Sequence, residues 1–268
     1  MKQDLNKPII KIYGQGRPIL VVVGCLHGDE LVGKRIINIL AKLKIKKGTL
    51  ITVVANPKAL SKKKRFIDQD LNRSFPGKKM SKKLEERIAF EIMQTIKSAD
   101  YVIDIHSTST DTQDVVIIKR RTKNIKKLLN IFKPSRVLLM PRSIGQRGFV
   151  NHCHGISFEY GAHNSPDTFN KTLRDIKRIM VNLDMLSGKK IKIKKYMNYY
   201  TVYEAEKKPK DFKMNKDVNN FKLFKRGGVL GKVKNKKILA KENFYPVLFG
   251  AKAYEDIMGF KAKKVNKL

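Results

Sequence analysis

Residues 18–40, PILVVVGCLHGDELVGKRIINIL, constrain the fold more than any other stretch. Ile19–Val23 is an apolar, β-branched run that suits a strand covered on both faces. Gly24-Cys25-Leu26-His27-Gly28 makes a tight connection, and Leu31, Ile36, Ile37 and Leu40 then recur at helical intervals. The unit reads strand, Gly-containing loop, helix. In an open α/β sheet, ligands gather beyond the carboxyl ends of the strands. His27 and Glu30 fall there, three residues apart, and a histidine and a carboxylate so placed can face one metal ion. The same residues also suit a structural role, His27 capping a turn and Glu30 favoured in a helix's first turn.

The chain has 268 residues, enough for one large domain or two smaller ones, and its hydrophobic content of 41% supports a real core. Two cysteines, Cys25 and Cys153, exclude a disulfide framework and point to reduced thiols in the cytoplasm. MKQDLNKP lacks the apolar core of a signal peptide, and no run reaches membrane-spanning length. The formal net charge is +36, spread in runs such as Lys62–Lys64 and 189–195. No aromatic-interleaved basic motif, zinc finger or KH-type loop accompanies it, so a lysine-rich surface with generic attraction for anions is expected rather than specific nucleic-acid recognition.

Strands are expected at 9–15 and 18–24, with the first helix running to about Lys42, and at 49–55, 99–105, 115–119, 137–140 and 155–160. Further helices are expected at 81–97, started by Ser81, at 123–132 and at 166–186. A polar loop, 61–79, interrupts this α/β alternation, and long loops in compact domains are often functional. From Ile191 the period changes to short β-like pieces, 199–203, 221–224, 229–233 and 247–249, without intervening helices. The expected division is 1–188 for an α/β domain and 189–268 for a β-rich one, with the boundary near 187–190.

Three strand ends carry polar groups: His27 and Glu30, then His106, then Glu159. Two histidines and a glutamate are a common catalytic zinc set with a fourth position left open. Such an ion polarises a carbonyl, and a free carboxylate such as Glu159 is needed to take a proton from attacking water and pass it to a leaving amine. Asp104 shares a strand face with His106 and suits either an orienting partner or an ordinary strand-end carboxylate. Arg65, Asp68, Asp70, Asn72 and Arg73 in the long loop suit carboxylate recognition and oxyanion stabilisation, or a turn with a buried ion pair.

Taken in order, these pieces resemble the succinylglutamate desuccinylase/aspartoacylase family of zinc carboxypeptidase-like hydrolases. Gly24-Cys25-Leu26-His27-Gly28-Asp29-Glu30 resembles its first zinc motif, and Asn56-Pro57-Lys58-Ala59 its Asn-Pro segment. Residues 65–77, RFIDQDLNRSFPG, resemble its arginine–asparagine–arginine signature, and Asp104-Ile105-His106 its second zinc motif. Phe158-Glu159-Tyr160-Gly161 resembles its catalytic glutamate segment. Tyr245-Pro246-Val247-Leu248-Phe249 and Ala253-Tyr254 resemble the segment that brings a tyrosine to the site.

The resemblance implies a mixed-sheet α/β domain with helices on both faces, followed by a smaller β-rich domain. It implies one zinc ion per chain on His27, Glu30 and His106, with Glu159 as general base and later proton donor. Arg65 would polarise the scissile carbonyl, Asn72 and Arg73 would hold the substrate's α-carboxylate, and Tyr254 would close over it. Family members place a further arginine before the catalytic glutamate to grip a side-chain carboxylate; Arg142 and Arg147 are the candidates, Arg147 preferred. Asn151-His152-Cys153-His154 is read as structural rather than as a second metal site, and Cys25 as a buried thiol. The expected activity is hydrolysis of the amide of a small N-acylated amino acid or similar carboxylate, with no membrane partner and the question of a homo-oligomer open. A metallocarboxypeptidase acting on peptides and a non-catalytic basic nucleic-acid-binding protein are the alternatives.

Overall fold

The computed structural model describes residues 3–109, 114–250 and 254–267. The first part alternates strands and helices: β1 (Ile9–Gln15), β2 (Ile19–Gly24), α1 (Leu31–Leu40), β3 (Gly48–Val54), α2 (Pro57–Ser61), α3 (Leu84–Thr95) and β4 (Tyr101–Thr108). It continues with β5 (Val115–Ile118), α4 (Lys123–Phe132), β6 (Arg136–Leu139), β7 (Gly155–Ala162) and α5 (Pro166–Asn182). The remainder is all strand: β8 (Asn198–Lys207), β9 (Phe212–Met214), β10 (Val229–Val233), β11 (Lys236–Leu239), β12 (Tyr245–Val247) and β13 (Ile257–Val265).

Ten strands form one mixed sheet in the order β1-β3-β2-β4-β7-β5-β6-β8-β13-β12, and β11-β10-β9 make a small antiparallel sheet. At the centre, β3, β2, β4 and β7 run parallel, so their carboxyl ends share one edge. Residues of β2 alternate between two cores. Leu20 and Val22 pack with α1, α4 and α5, while Val21 and Val23 face α3, Phe75 and Phe149. The expected α/β class with helices on both faces is therefore what the chain adopts. The expected boundary at 187–190 falls between α5 and β8. Beyond it β8 pairs in parallel with β6, so the strands on its far side extend the first sheet.

Local differences have local causes. The third helix starts at Leu84, not Ser81. The Ser81 hydroxyl is taken by Glu86 at 2.8 Å, and the Leu84 N–H donates to Asp68 Oδ2 at 2.7 Å. A loop residue distant in sequence thus does the capping that sequence assigns to a neighbour. The helix at 166 ends at Asn182, four residues early. Residues 221–224 form no strand; Phe224 makes a single bridge to Phe244. β13, the longest C-terminal partner of β8, was not expected, because its lysines and Gly259 break the apolar alternation.

Two close approaches fix the organising loop. A Cβ on Gly33 would lie 2.8 Å from Gly24 Cα, so the first helix can seat against the strand end only without a side chain there. A Cβ on Gly28 would lie 2.1 Å from the Ala59 carbonyl carbon, so the loop rests directly on α2.

Candidate active site

His27 leaves the end of β2, Glu30 stands at the N-cap of α1, and His106 lies in β4. Glu30 makes no side-chain capping bond. Its Oε1 is instead 2.7 Å from His27 Nδ1 and its Oε2 3.1 Å from His106 Nδ1, with the Ser107 N–H donating to Oε2 at 2.9 Å. All three side chains are buried, at 3%, 3% and 2% exposure, and their donor atoms lie within 4.8 Å of one another. This is the one such cluster among the described residues.

The other nitrogen of each imidazole meets a second carboxylate. His27 Nε2 is 3.2 Å from Asp70 Oδ1, and His106 Nε2 is 2.8 Å from Asp104 Oδ2. Ser157 also donates to Asp104 at 3.2 Å. An acceptor at Nε2 holds the ring proton there and leaves Nδ1 as the lone-pair nitrogen, which is how histidine is prepared for a metal. The donor set and its surroundings therefore fit a divalent cation of the zinc type. The electrostatics agree. Burial works against a charged imidazole at His27 and His106, but the surrounding carboxylates raise both. Burial would raise Asp70 too, yet His27, Arg65 and Arg73 hold it well below the usual carboxylate range. The site is a place built for positive charge.

Glu159 stands directly opposite His106 in the β4–β7 ladder, so the two side chains leave the same face of the sheet. Burial pushes its carboxyl up to about 7, with Glu30 and Asp104 adding to the rise and the two histidines opposing it. A carboxylate poised near neutrality can both accept and return a proton.

The long loop supplies the cations and is organised by Glu85. This fully buried side chain accepts from the N–H groups of Ile67, Asp68 and Gln69 at 2.7, 3.1 and 3.2 Å, and from Asn56 Nδ2 at 3.1 Å. Arg65 is gripped by Asp70 through Nε at 3.2 Å and Nη2 at 2.9 Å, and its Nη1 lies 3.7 Å from Glu30. Asn72 Oδ1 accepts from the Phe149 N–H at 2.8 Å, leaving its amide hydrogens for the cleft.

His27, Glu30, Arg65, Asn72, Arg73, His106, Glu159 and Tyr254 line one cleft of about 410 Å³. One wall is apolar, made by Ile117, Met140, Leu248 and Phe260, which pack in one cluster. Tyr254 packs edge-on against Phe260, and burial keeps its phenol protonated. Ala253, from the same motif, lies outside the described residues. The structure does not bring Arg147 to this cleft. Its guanidinium pairs with Glu86 at 2.9 Å and its side chain is half exposed. Arg142 is not among the lining residues either. Cys25 is fully buried with its thiol pushed up to about 12, as suits an inert packing residue. Sequence reading missed Glu85, the Asp70–His27 contact, and Lys119 and His163 in the cleft lining.

Residues 17–160 match the family described as succinylglutamate desuccinylase/aspartoacylase catalytic domain. The chain belongs to this family. Among curated proteins of the family's kind, the chain is 29% identical over 168 residues to an N-acyl-aromatic-L-amino acid amidohydrolase (carboxylate-forming) of Xenopus laevis, covering 53% of this chain and 54% of that protein. It is 25% identical over 123 residues to an aspartoacylase of Danio rerio, 38% of each. The chain thus spans about half the length of the first of these relatives and less of the second. The fold extends further than the sequence match. Murine aminoacylase 3 superposes with a TM-score of 0.78 over 92% of this chain and 95% of that one at 19% identity. The succinylglutamate desuccinylase/aspartoacylase of Rhodobacter sphaeroides gives 0.73 over 96% and 89% at 18%.

Proposed function

We propose that this protein is a zinc-dependent deacylase that hydrolyses the amide bond of a small N-acylated amino acid. The observation that supports it most is the pairing of His106 with Glu159 across adjacent strands: a donor of the three-residue metal set and an independent carboxylate share one face of one cleft. His27, Glu30 and His106 would hold one zinc ion, which when bound polarises the amide carbonyl and acidifies water. Asp70 and Asp104, at Nε2 of the two imidazoles, would leave both Nδ1 atoms to hold it.

Glu159 takes a proton from the attacking water and returns it to the departing amine, so one carboxylate serves both halves of the reaction. Arg65, with its Asp70 pairing leaving Nη1 near Glu30, faces the oxygen that gains negative charge. Asn72 and Arg73 receive the α-carboxylate, and Tyr254 covers the substrate from the opposite wall. We assign residues 1–188 to the catalytic unit and 189–268 to a β-rich unit that supplies Leu248, Tyr254 and Phe260 to that wall.

A cleft of about 410 Å³ with this second wall favours a small amide over a peptide. The names of relatives, an amidohydrolase and an aspartoacylase, support the same chemistry. No described helix is long and apolar enough to cross a membrane, and both cysteines are free and buried, in keeping with a cytoplasmic setting.

The test is metal analysis of the purified protein with a panel of N-acetyl, N-succinyl and N-formyl amino acids, scored by release of amine. One zinc per chain and release that stops on chelation are expected. Hydrolysis that survives complete metal removal, or tight zinc-independent binding of nucleic acid with no hydrolysis, overturns the reading.

A further inference from the structure

A second cavity, of about 360 Å³, lies behind the sheet. Tyr160 lines it, whereas its neighbour Glu159 lines the cleft, so the two hollows use opposite faces of β7. No described residue lines both. The walls of the second come from the start of β5, the end of α4, one face of α5 and the segment 193–195. Its volume is ordinary for a small-molecule pocket.

The lining is mostly of one sign. Five cations, Lys133, Lys171, Arg174, Arg178 and Lys195, face two carboxylates, Asp114 and Asp175. Lys171 pairs with Asp114 at 3.0 Å. Asp175 is buried and serves both arginines through one oxygen, at 3.1 Å from Arg174 Nε and 3.6 Å from Arg178 Nη1. Its other oxygen accepts from the Tyr160 hydroxyl at 3.1 Å. One buried carboxylate thus holds two guanidiniums four positions apart on α5, a spacing at which like charges repel. Lys195 Nζ donates to the Ser135 hydroxyl oxygen at 2.7 Å and Lys133 Nζ to Asn130 Oδ1 at 3.0 Å, so the printed partners of both are neutral. α4 ends here, and its C-terminal dipole offsets about half a charge. About two and a half positive charges are left without a counterpart among the described residues. Surplus positive charge is expected anywhere on a chain of +36; the hollow, and the Asp175–Tyr160 pair that fixes its arginines, set this one apart.

We propose that this pocket is a second ligand site, which takes the phosphate group of a small molecule. A phosphate carries about −1.5 to −2 charges at neutral pH, close to the surplus. Its oxygens suit the N–H forks of Arg174 and Arg178, while Lys133 and Lys195 act as point charges from two other segments. The Ser135 hydroxyl accepts from Lys195 and keeps its hydrogen to donate. Phe132 and Ile193 add an apolar side for a carbon skeleton. The site stands independently of the deacylase reading, since none of its residues lines the cleft.

The experiment is calorimetry of the metal-loaded protein with inorganic phosphate and with glycerol 3-phosphate, at about 0.15 M ionic strength to screen loose surface binding. Saturable binding with a Kd below about 1 mM is expected for at least one probe. Tighter binding of glycerol 3-phosphate supports an organic phosphate as occupant, and equal or tighter binding of inorganic phosphate supports the free ion. Arg174→Gln/Arg178→Gln should weaken binding about ten-fold or more. Lys236→Gln/Lys237→Gln, which removes the same charge from exposed positions of β11, should leave it unchanged. Should the arginine variant not fold, Lys195→Gln, at an exposed position, carries the test with an expected weakening of about three-fold or more. Failure of both probes to saturate overturns the proposal, as do equal losses in the arginine and β11 variants or a loss in neither. Binding that survives Arg174→Gln/Arg178→Gln but vanishes on chelation belongs to the cleft and overturns it too. So does a short RNA that binds through these arginines when neither small phosphate binds.

Discussion

Nε2 of His27 lies 3.2 Å from Oδ1 of Asp70, on the side of the ring away from Glu30. The same carboxylate grips Arg65 with its other oxygen. One side chain therefore holds an imidazole of the buried His/Glu/His cluster and the Arg65 guanidinium together, so the two are positioned by a shared restraint. Replacing Asp70 by Asn should lower zinc affinity by about 10–100-fold. Asp104→Asn should do the same through His106. Competition with a chelator measures both, and an unchanged affinity in either variant contradicts the orienting role.

Glu159→Gln should keep zinc bound and lose about 10²–10⁴-fold in kcat. Metal content and turnover are measured on the same sample. A variant that turns over normally, or one that fails to retain zinc, is inconsistent with a base that stands apart from the ligand set.

Arg73→Ala should raise KM for substrates with a free α-carboxylate by about ten-fold or more, and affect their α-amide counterparts much less. Parallel kinetics on one acid and its α-amide separate the two outcomes. Equal losses for both would mean that Arg73 serves the loop's shape rather than the substrate.

Glu85→Ala should destabilise the protein by about 3 kcal/mol or more, because it strips an acceptor from three backbone N–H groups and from Asn56 at once. Urea denaturation gives the value, and a loss below about 1 kcal/mol contradicts it. Activity of the folded fraction should also fall, since the loop carrying Arg65 and Arg73 hangs from this residue.

Lys119 gives stability a pH dependence of definite sign. Its folded-state value is lowered to about 8, whereas an unfolded lysine titrates near ~10.4. Between those values the unfolded chain holds more protons, so stability rises with pH in that window. The rise should amount to about 2 kcal/mol and disappear in Lys119→Met. A flat stability profile from pH 8 to pH 10 in the wild-type chain contradicts the assignment.

The parts of the site that sequence made legible are those fixed by strand ends. His27 and His106 follow apolar runs that suit buried strands and Glu159 lies within another, and parallel pairing then brings the three together. What stayed hidden depends on contacts between distant segments. Asp70 is 43 positions from His27, and Asp68 caps a helix 16 positions away. Glu85 looked like an ordinary first-turn acid because three of its four partners are backbone groups, which carry no sequence signal. Arg147 had the right type and neighbourhood, but Glu86 holds it elsewhere. Lys119 was one lysine in a lysine-rich chain until burial set it apart.

His106 stands on a central strand, with His27 and Glu30 just beyond the end of its neighbour, whereas Leu248, Tyr254 and Phe260 stand on or beside strands at the sheet's far margin. Natural drift can therefore remodel that wall of the cleft without disturbing the His27–Glu30–His106 cluster. If the proposed deacylase reading holds, variation in the amides accepted is to be sought at that margin, with the clustered histidines and glutamate left as they are.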